Sequence, residues 1–251
     1  MYNELFSIGP VSITVYGLMI IAGYISALAL SVRRGVRRNL NEDSIWGIFF
    51  CALIGGMAGT KILYYLTILP AIIRDPSLIW RQFTTGHVVY GGIIFGVLTS
   101  YIYIRLKREK FLPYFDLVMP AVALAQGIGR IGCFFAGCCY GRETDAWYGI
   151  VFRHSTFAPN GVSLIPTQLI SAAGDFIIFG LLTFYEKKDP ATGRVSAAYL
   201  ILYGIGRFLV EFLRNDYRGS VGILSTSQFI SIGIVAAGLV LFAAAKNNRH
   251  R

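Results

Sequence analysis

Seven long apolar stretches restrict the fold of this chain more than any other feature of the sequence. Each is close to the ~20 residues that an α-helix needs to cross a lipid bilayer. Hydrophobic residues make up 55% of the chain and charged residues only 14%, which is typical of a polytopic membrane protein. We therefore predict an all-α membrane helix bundle of about seven transmembrane helices, forming one domain over residues 1–251. The predicted spans cover about residues 9–32, 44–66, 88–105, 113–135, 164–185, 195–213 and 222–244.

The distribution of basic residues predicts the orientation of the bundle. The formal net charge is +10, but the lysines and arginines occur in short clusters between apolar stretches, which does not indicate nucleic-acid binding. With seven spans, 14 of these residues lie on one side of the membrane and 6 on the other. The excess places the C-terminus in the cytoplasm and the N-terminus outside. The longest loop, roughly residues 136–163, then follows the fourth span on the outer face.

Arg130 lies inside the fourth apolar stretch, among Gly127, Gly129 and Gly132. An arginine at such a depth costs about 3 kcal/mol unless it faces a wet or polar interior, so it is a candidate functional residue. The glycines leave space for a neighbouring helix or a ligand to approach the backbone. The alternative is an arginine that extends to the membrane interface from near a helix end.

Arg207 and Glu211 are four residues apart in the sixth stretch and therefore share one helix face. An ion pair would make their burial tolerable, but such pairs add little net stability, which favours a functional site. Arg214 continues this face at the outer end. Two buried arginines with one nearby carboxylate leave a net positive charge, and arginine binds phosphate through paired hydrogen bonds. The alternative is a polar helix–helix contact in which Glu211 bridges Arg130 and Arg207.

Tyr90 and His87 are weaker candidates at the start of the third stretch. They are three residues apart and share a face if the helix extends as far as His87. A histidine, with a reference pKa near ~6.5, is the better general base of the two on chemical grounds. The alternatives are a tyrosine of the interfacial aromatic belt and a solvated histidine.

Cys133, Cys138 and Cys139 lie close together in sequence and, with His154, would supply four zinc ligands. Their spacing matches none of the usual zinc-site patterns, so we predict no metal site and expect a structural role for the cluster. A disulfide is compatible with the outer face, although adjacent cysteines pair with each other only under strain.

Short motifs at ordered positions cover almost the whole chain. They are Tyr16-Gly17-Leu18-Met19, the glycine-rich segment 55–65 with Lys61, Tyr90-Gly91-Gly92, Gly129-Arg130-Ile131-Gly132 followed by Phe134 and Gly141, Pro166-Thr167-Gln168-Leu169, and segment 203–214 with Arg207, Glu211 and Arg214. This ordered set resembles the phosphatidylglycerol–prolipoprotein diacylglyceryl transferases of bacterial cytoplasmic (inner) membranes.

The resemblance implies an enzyme that transfers the diacylglyceryl group of phosphatidylglycerol to the lipobox cysteine thiol in a prolipoprotein signal peptide, releasing glycerol phosphate. Membrane lipids are then its surroundings, and no metal or organic cofactor is implied. Arg130 and Arg207 would stabilise the phosphate, Glu211 would orient Arg207, and Tyr90 or His87 would act on the thiol or the headgroup. The substrate-binding positions carried over from the family motifs are Tyr16, Lys61, Gly91, Gly92, Gly132, Gly141, Arg142, Gln168 and Arg214.

Several positions depart from the family pattern. Tyr90 stands where the family has histidine, and Ser171 stands where it has glutamate. Asparagines and a glutamate of the central motif are replaced by Cys133, Ala136 and Cys138. Two alternatives to the standard reaction therefore stay open. One is a relative that uses another acceptor, and the other is a non-catalytic protein that binds or transports an anionic lipid.

Overall fold

The computed structural model describes residues 4–8, 11–215 and 219–245. Nine helices lie within these ranges: α1 Val15–Arg37, α2 Glu42–Thr67, α3 Leu69–Arg74, α4 Leu78–Arg81, α5 Val89–Leu106, α6 Phe111–Ala136, α7 Thr167–Glu186, α8 Arg194–Glu211 and α9 Thr226–Ala244. Three antiparallel hairpins connect or precede them: β1 Glu4–Ile8 with β2 Val11–Thr14, β3 Ile150–Val151 with β4 Ser163–Leu164, and β5 Ser220–Val221 with β6 Leu224–Ser225.

Each of the seven predicted spans coincides with a helix, which confirms the all-α membrane fold. Six of these helices are long and apolar enough to cross a membrane. The seventh, α8, contains Arg194, Arg207 and Glu211, and these charges lower its apolar character. The first predicted span was placed too early: hairpin β1–β2 occupies the start of that stretch, and α1 extends to Arg37.

The helices fall into two compact units, residues 1–31 with 115–251 and residues 32–114, whose boundaries lie inside α1 and α6. In the first unit, α6, α7 and α8 enclose an apolar core. Its buried members are Met119 and Ala123 from α6, Ile178 and Leu182 from α7, and Val195 and Tyr199 from α8. Helix α9 packs along α8, and α1 approaches α6 where Gly132 faces Met19. A Cβ at Gly132 would lie 2.9 Å from the Met19 Cβ, so this close approach requires glycine.

Asp116 on α6 fixes the position of α8. Its carboxylate accepts hydrogen bonds from the backbone N–H groups of Gly193, at 2.5 Å, and Ser196, at 2.8 Å. It also accepts one from the Ser196 hydroxyl, at 2.6 Å. A buried carboxylate at a helix N-terminus satisfies the free N–H groups there and is favoured by the helix dipole. The first turn of α8 is thereby tied to α6, which sets where the functional residues at the other end of α8 lie.

In the second unit, α2 packs closely against α5 through facing glycines. A Cβ on Gly59 would collide with the Gly91 carbonyl oxygen, and a Cβ on Gly91 would collide with that of Gly59. The glycine-rich composition of α2 therefore serves a tight helix–helix interface.

Candidate anion-binding site

Helices α6, α7 and α8 enclose a cavity of about 50 Å³ inside the first unit. Arg130 enters it from α6, Asp175 from α7, and Tyr203 and Arg207 from α8. The remaining wall is formed by small and apolar residues with one hydroxyl: Ile170, Ser171, Gly174, Ile178, Gly206 and Val210. The two arginines that the sequence analysis selected on separate helices thus face one cavity.

Arg207 is held in place by a network at the end of α8. Its Nη1 lies 2.7 Å from Glu211 Oε2, and its Nη2 donates a hydrogen bond to Ser227 Oγ at 2.8 Å. The Ser225 hydroxyl donates to Glu211 Oε1 at 2.9 Å, and Ser225 also begins α9 through a capping box. Arg214 Nε lies 3.8 Å from Glu211 Oε2. The start of α9 therefore orients both members of the ion pair.

The structure does not have Glu211 bridging the two cavity arginines. Among the described residues its ion pairs are with Arg207 and Arg214, not with Arg130.

The Arg130 guanidinium makes no hydrogen bond or ion pair with any residue in the described part of the chain. Its electrostatic neighbours are Tyr203, Asp175, Cys133 and Cys139. A partly buried guanidinium normally satisfies its five donors, so these free donors indicate a site for an anion. The sequence pattern assigned no role to Asp175, Tyr203, Ser225 or Ser227.

The loop after α6 carries several of the predicted substrate-binding residues. Gly141 pairs with Arg214 in an isolated β-bridge, and the Arg142 N–H donates to the Leu213 carbonyl at 2.9 Å. Arg214 is buried, while the Arg142 side chain is exposed. Gln168, at the start of α7, is buried and donates through Nε2 to the Cys138 carbonyl at 2.8 Å. These residues hold the loop against the ends of α7 and α8.

Three thiols gather beside Arg130. The Sγ atoms of Cys133, Cys138 and Cys139 all lie within 4.8 Å of one another. Hydrogen bonds with the thiols of Cys133 and then Cys139, together with burial, raise the pKa of Cys138 well above its usual range. Tyr16, at the start of α1, is within electrostatic range of Arg130 and of all three thiols. Sequence spacing gave no sign of this convergence, because it depends on the backbone reversal after α6.

Lys61, in the second unit, is fully occupied by backbone contacts. Its Nζ donates to the carbonyl oxygens of Gln82 at 2.7 Å, Thr85 at 2.5 Å and Gly86 at 3.0 Å. An ammonium group has three N–H donors, so none is left for a lipid headgroup. This geometry favours a structural role for Lys61, which fixes the segment before α5.

Tyr90, Gly91 and Gly92 lie in the first turn of α5, whereas His87 precedes the helix. The prediction that His87 and Tyr90 share a helix face is wrong, because α5 begins at Val89 and His87 lies before it. His87 Nδ1 instead lies 3.1 Å from the Thr60 hydroxyl on α2. Both His87 and Tyr90 are exposed within their unit.

The fold and the cavity define a class of protein: a multi-pass membrane protein with an arginine-lined cavity among its helices. A sequence profile of the prolipoprotein diacylglyceryl transferase family matches residues 3–244. The chain belongs to the prolipoprotein diacylglyceryl transferase family. It is a transferase of this family and a multi-pass protein of the bacterial inner membrane.

Named relatives align with nearly the whole chain. Phosphatidylglycerol–prolipoprotein diacylglyceryl transferase 2 of Clostridium perfringens is 48% identical over 90% of this chain and 89% of its own length. The phosphatidylglycerol–prolipoprotein diacylglyceryl transferase of Clostridium tetani is 44% identical over 95% of both chains. That of Aeromonas salmonicida is 32% identical over 96% of this chain and 88% of its own.

Proposed function

We propose that this chain transfers the diacylglyceryl group of phosphatidylglycerol to the lipobox cysteine thiol of a prolipoprotein signal peptide. The thiol loses its proton, its sulfur bonds to the glyceryl carbon, the bond from that carbon to the phosphate oxygen breaks, and glycerol phosphate leaves. The names of its relatives support the two substrates. The reaction is a displacement at carbon in which negative charge develops on the departing phosphate.

The observation that carries the proposal is the pair of arginines in one cavity. Arg130 has free donors, and Arg207 is oriented by Glu211 and Ser227. Two planar guanidinium groups bind the non-bridging oxygens of a phosphodiester better than point charges do. As charge accumulates on the leaving phosphate, the same groups stabilise it in an environment shielded from water.

The remaining site residues extend this proposal. Arg214, Arg142, Gly141 and Gln168 shape the loop beside the cavity, and Tyr16 and Gly132 form the approach of α1 to α6. Tyr90, with Gly91 and Gly92, is proposed to contact the headgroup. We also propose that both units form one membrane domain with the N-terminus outside and the C-terminus in the cytoplasm, because of the bias in basic residues.

The test is transfer by the purified protein in detergent with phosphatidylglycerol and a lipobox peptide. We expect a gain of one diacylglyceryl group on the cysteine, detected by mass spectrometry. A peptide with serine in place of the cysteine and a reaction with phosphatidylethanolamine are the controls. Saturable lipid binding with no mass gain on any acceptor peptide would instead favour the lipid-binding or transport alternative.

A further inference from the structure

The end of α6 brings three thiols together by an unusual backbone path. The helix ends at Ala136, and Gly137 follows with φ of +73°. Cys139 then adopts φ of +61°, a left-handed conformation that costs a non-glycine residue about 1–2 kcal/mol. These two left-handed residues turn the chain back. Cys138 and Cys139 therefore lie next to Cys133, which is in the last turn of α6. Strain of this kind is concentrated at functional sites.

The backbone of this turn is anchored, which holds the thiols near one another. The Thr167 hydroxyl donates to the Cys139 carbonyl at 2.7 Å, and Gln168 Nε2 donates to the Cys138 carbonyl at 2.8 Å. Both anchors come from the first turn of α7. The Cys138 thiol also donates to the Cys133 carbonyl oxygen at 3.7 Å, so this contact and the two anchors from α7 together position the cysteine side chains.

The spacing of the sulfur atoms fits a thiophilic metal ion. At a zinc–sulfur distance of about 2.3 Å, two ligands of a tetrahedral site lie about 3.8 Å apart. The sulfur atoms here lie within 4.8 Å, so a shift of about 1 Å closes the site. Among the described residues no histidine or carboxylate joins the group, and His154 is outside it. Three protein ligands with the fourth position open are characteristic of catalytic rather than structural zinc.

The net charge of the metal with its three thiolate ligands favours Zn²⁺ over Cu⁺. Three thiolates around Zn²⁺ carry a net charge of −1, whereas around Cu⁺ they would carry −2. Arg130 is the cation within electrostatic range of Cys133 and Cys139, and it offsets one negative charge. Before the acceptor thiolate binds, the zinc ion, the three thiolates and Arg130 together are neutral, which is favoured where the surroundings are apolar.

We propose that Cys133, Cys138 and Cys139 bind one Zn²⁺ ion whose open fourth position takes the acceptor cysteine as a thiolate. The proposal deepens the proposed function and rests on it. A thiol that coordinates zinc loses its proton, here to solvent water, and remains a nucleophile. The bound sulfur then attacks the glyceryl carbon, and the electron pair of the breaking carbon–oxygen bond stays on the phosphate beside Arg130.

A zinc ion at this site would convert the acceptor thiol to a thiolate, a step to which no other residue of the site has been assigned. The proposed transfer requires a thiolate, and Tyr90 stands where the family has histidine. A metal ion next to the phosphate-binding arginine places nucleophile and leaving group at one site. The expectation of a metal-free, purely structural cluster is the competing account.

The first test measures metal rather than activity. The purified chain should contain one Zn²⁺ per molecule, and exchange with Co²⁺ should give a thiolate-to-cobalt charge-transfer band. Adding a lipobox peptide should perturb the cobalt spectrum, and its serine counterpart should not. Cys133→Ser and Cys139→Ser should lose the band, whereas Cys51→Ser, at a cysteine on α2, should keep it. Absence of stoichiometric binding, or a band that survives both substitutions, would overturn the proposal.

The second test separates this proposal from the proposed function. Chelation of the metal, or Cys139→Ser in a protein that still folds, should lower transfer roughly a hundredfold, the usual contribution of activating a nucleophile. Zn²⁺ should restore the chelated enzyme. Transfer that is unaffected by chelation refutes the zinc site and leaves the transferase function intact. If the wild-type enzyme shows a one-to-one zinc site but no transfer to any lipobox peptide, the proposed function fails, and the acceptor-thiol role of the zinc fails with it.

Discussion

Arg207 and Glu211 form an ion pair across one turn of α8, with Nη1 and Oε2 2.7 Å apart, and both are held by the first turn of α9. The pair is therefore a positioned group rather than a flexible surface contact. Its arginine faces the cavity and its carboxylate faces Ser225 and Arg214.

Glu211→Gln tests whether this carboxylate does more than orient Arg207. Glutamine keeps the shape of the side chain and an acceptor for the Ser225 hydroxyl, but it removes the charge. If Glu211 only orients Arg207, we expect the rate of transfer to fall less in Glu211→Gln than in Arg207→Lys. In Glu211→Gln, kcat should then change more than KM. Steady-state kinetics on folded protein provide the measurement. A greater loss than in Arg207→Lys would show that Glu211 carries a proton.

Tyr90→Phe distinguishes a hydrogen bond to the headgroup from general-base catalysis. Loss of one neutral hydrogen bond costs about 1 kcal/mol, which corresponds to less than a tenfold fall in kcat/KM for phosphatidylglycerol. Loss of a general base would cost at least roughly a hundredfold and flatten the pH profile. We expect the smaller effect. A fall of more than a hundredfold would make Tyr90 the base and remove the need for a metal-bound thiolate.

Asp116→Ala should destabilise the first unit without touching the cavity. The substitution removes three hydrogen bonds to a buried carboxylate and leaves the N–H groups of Gly193 and Ser196 without partners. We expect a loss of about 3 kcal/mol, measured by thermal unfolding in detergent. Asp145→Ala, at an exposed aspartate in the loop after α6, is the matched control and should be nearly neutral. Equal stability of the two variants would contradict the capping role of Asp116.

The membrane orientation has its own test. A fluorescent reporter that folds only in the cytoplasm should be active at the C-terminus, while alkaline phosphatase fused after Asn160 should be active outside. The reverse pattern at the two sites would refute the orientation inferred from the basic residues.

Helix length and buried charge were readable from the sequence because both follow from the cost of placing polar groups in lipid. Arg130, Arg207 and Glu211 are conspicuous for that reason, and the structure places both arginines at one cavity. The first span was misplaced because an apolar hairpin strand and an apolar helix look alike by hydropathy.

Other features of the site depend on backbone geometry that sequence spacing does not encode. The thiol cluster requires left-handed conformations at Gly137 and Cys139, and a positive φ at a cysteine leaves no signature in composition. Ser227 meets Arg207 only because α9 returns beside α8. The occupied donors of Lys61 likewise arise from a turn near residues 82–86 that the pattern of apolar residues does not show.

The proposed function depends most on the two arginines that face the cavity. Arg130→Lys and Arg207→Lys keep the positive charge but lose the planar pair of donors that grips a phosphate. We expect each to lower phosphatidylglycerol-dependent transfer roughly a hundredfold, equivalent to about 3 kcal/mol, in protein that inserts and folds normally. Arg153→Lys, at an exposed arginine outside the cavity, is the matched control and should transfer at the wild-type rate. Wild-type transfer by both cavity variants would contradict the phosphate-binding role of Arg130 and Arg207.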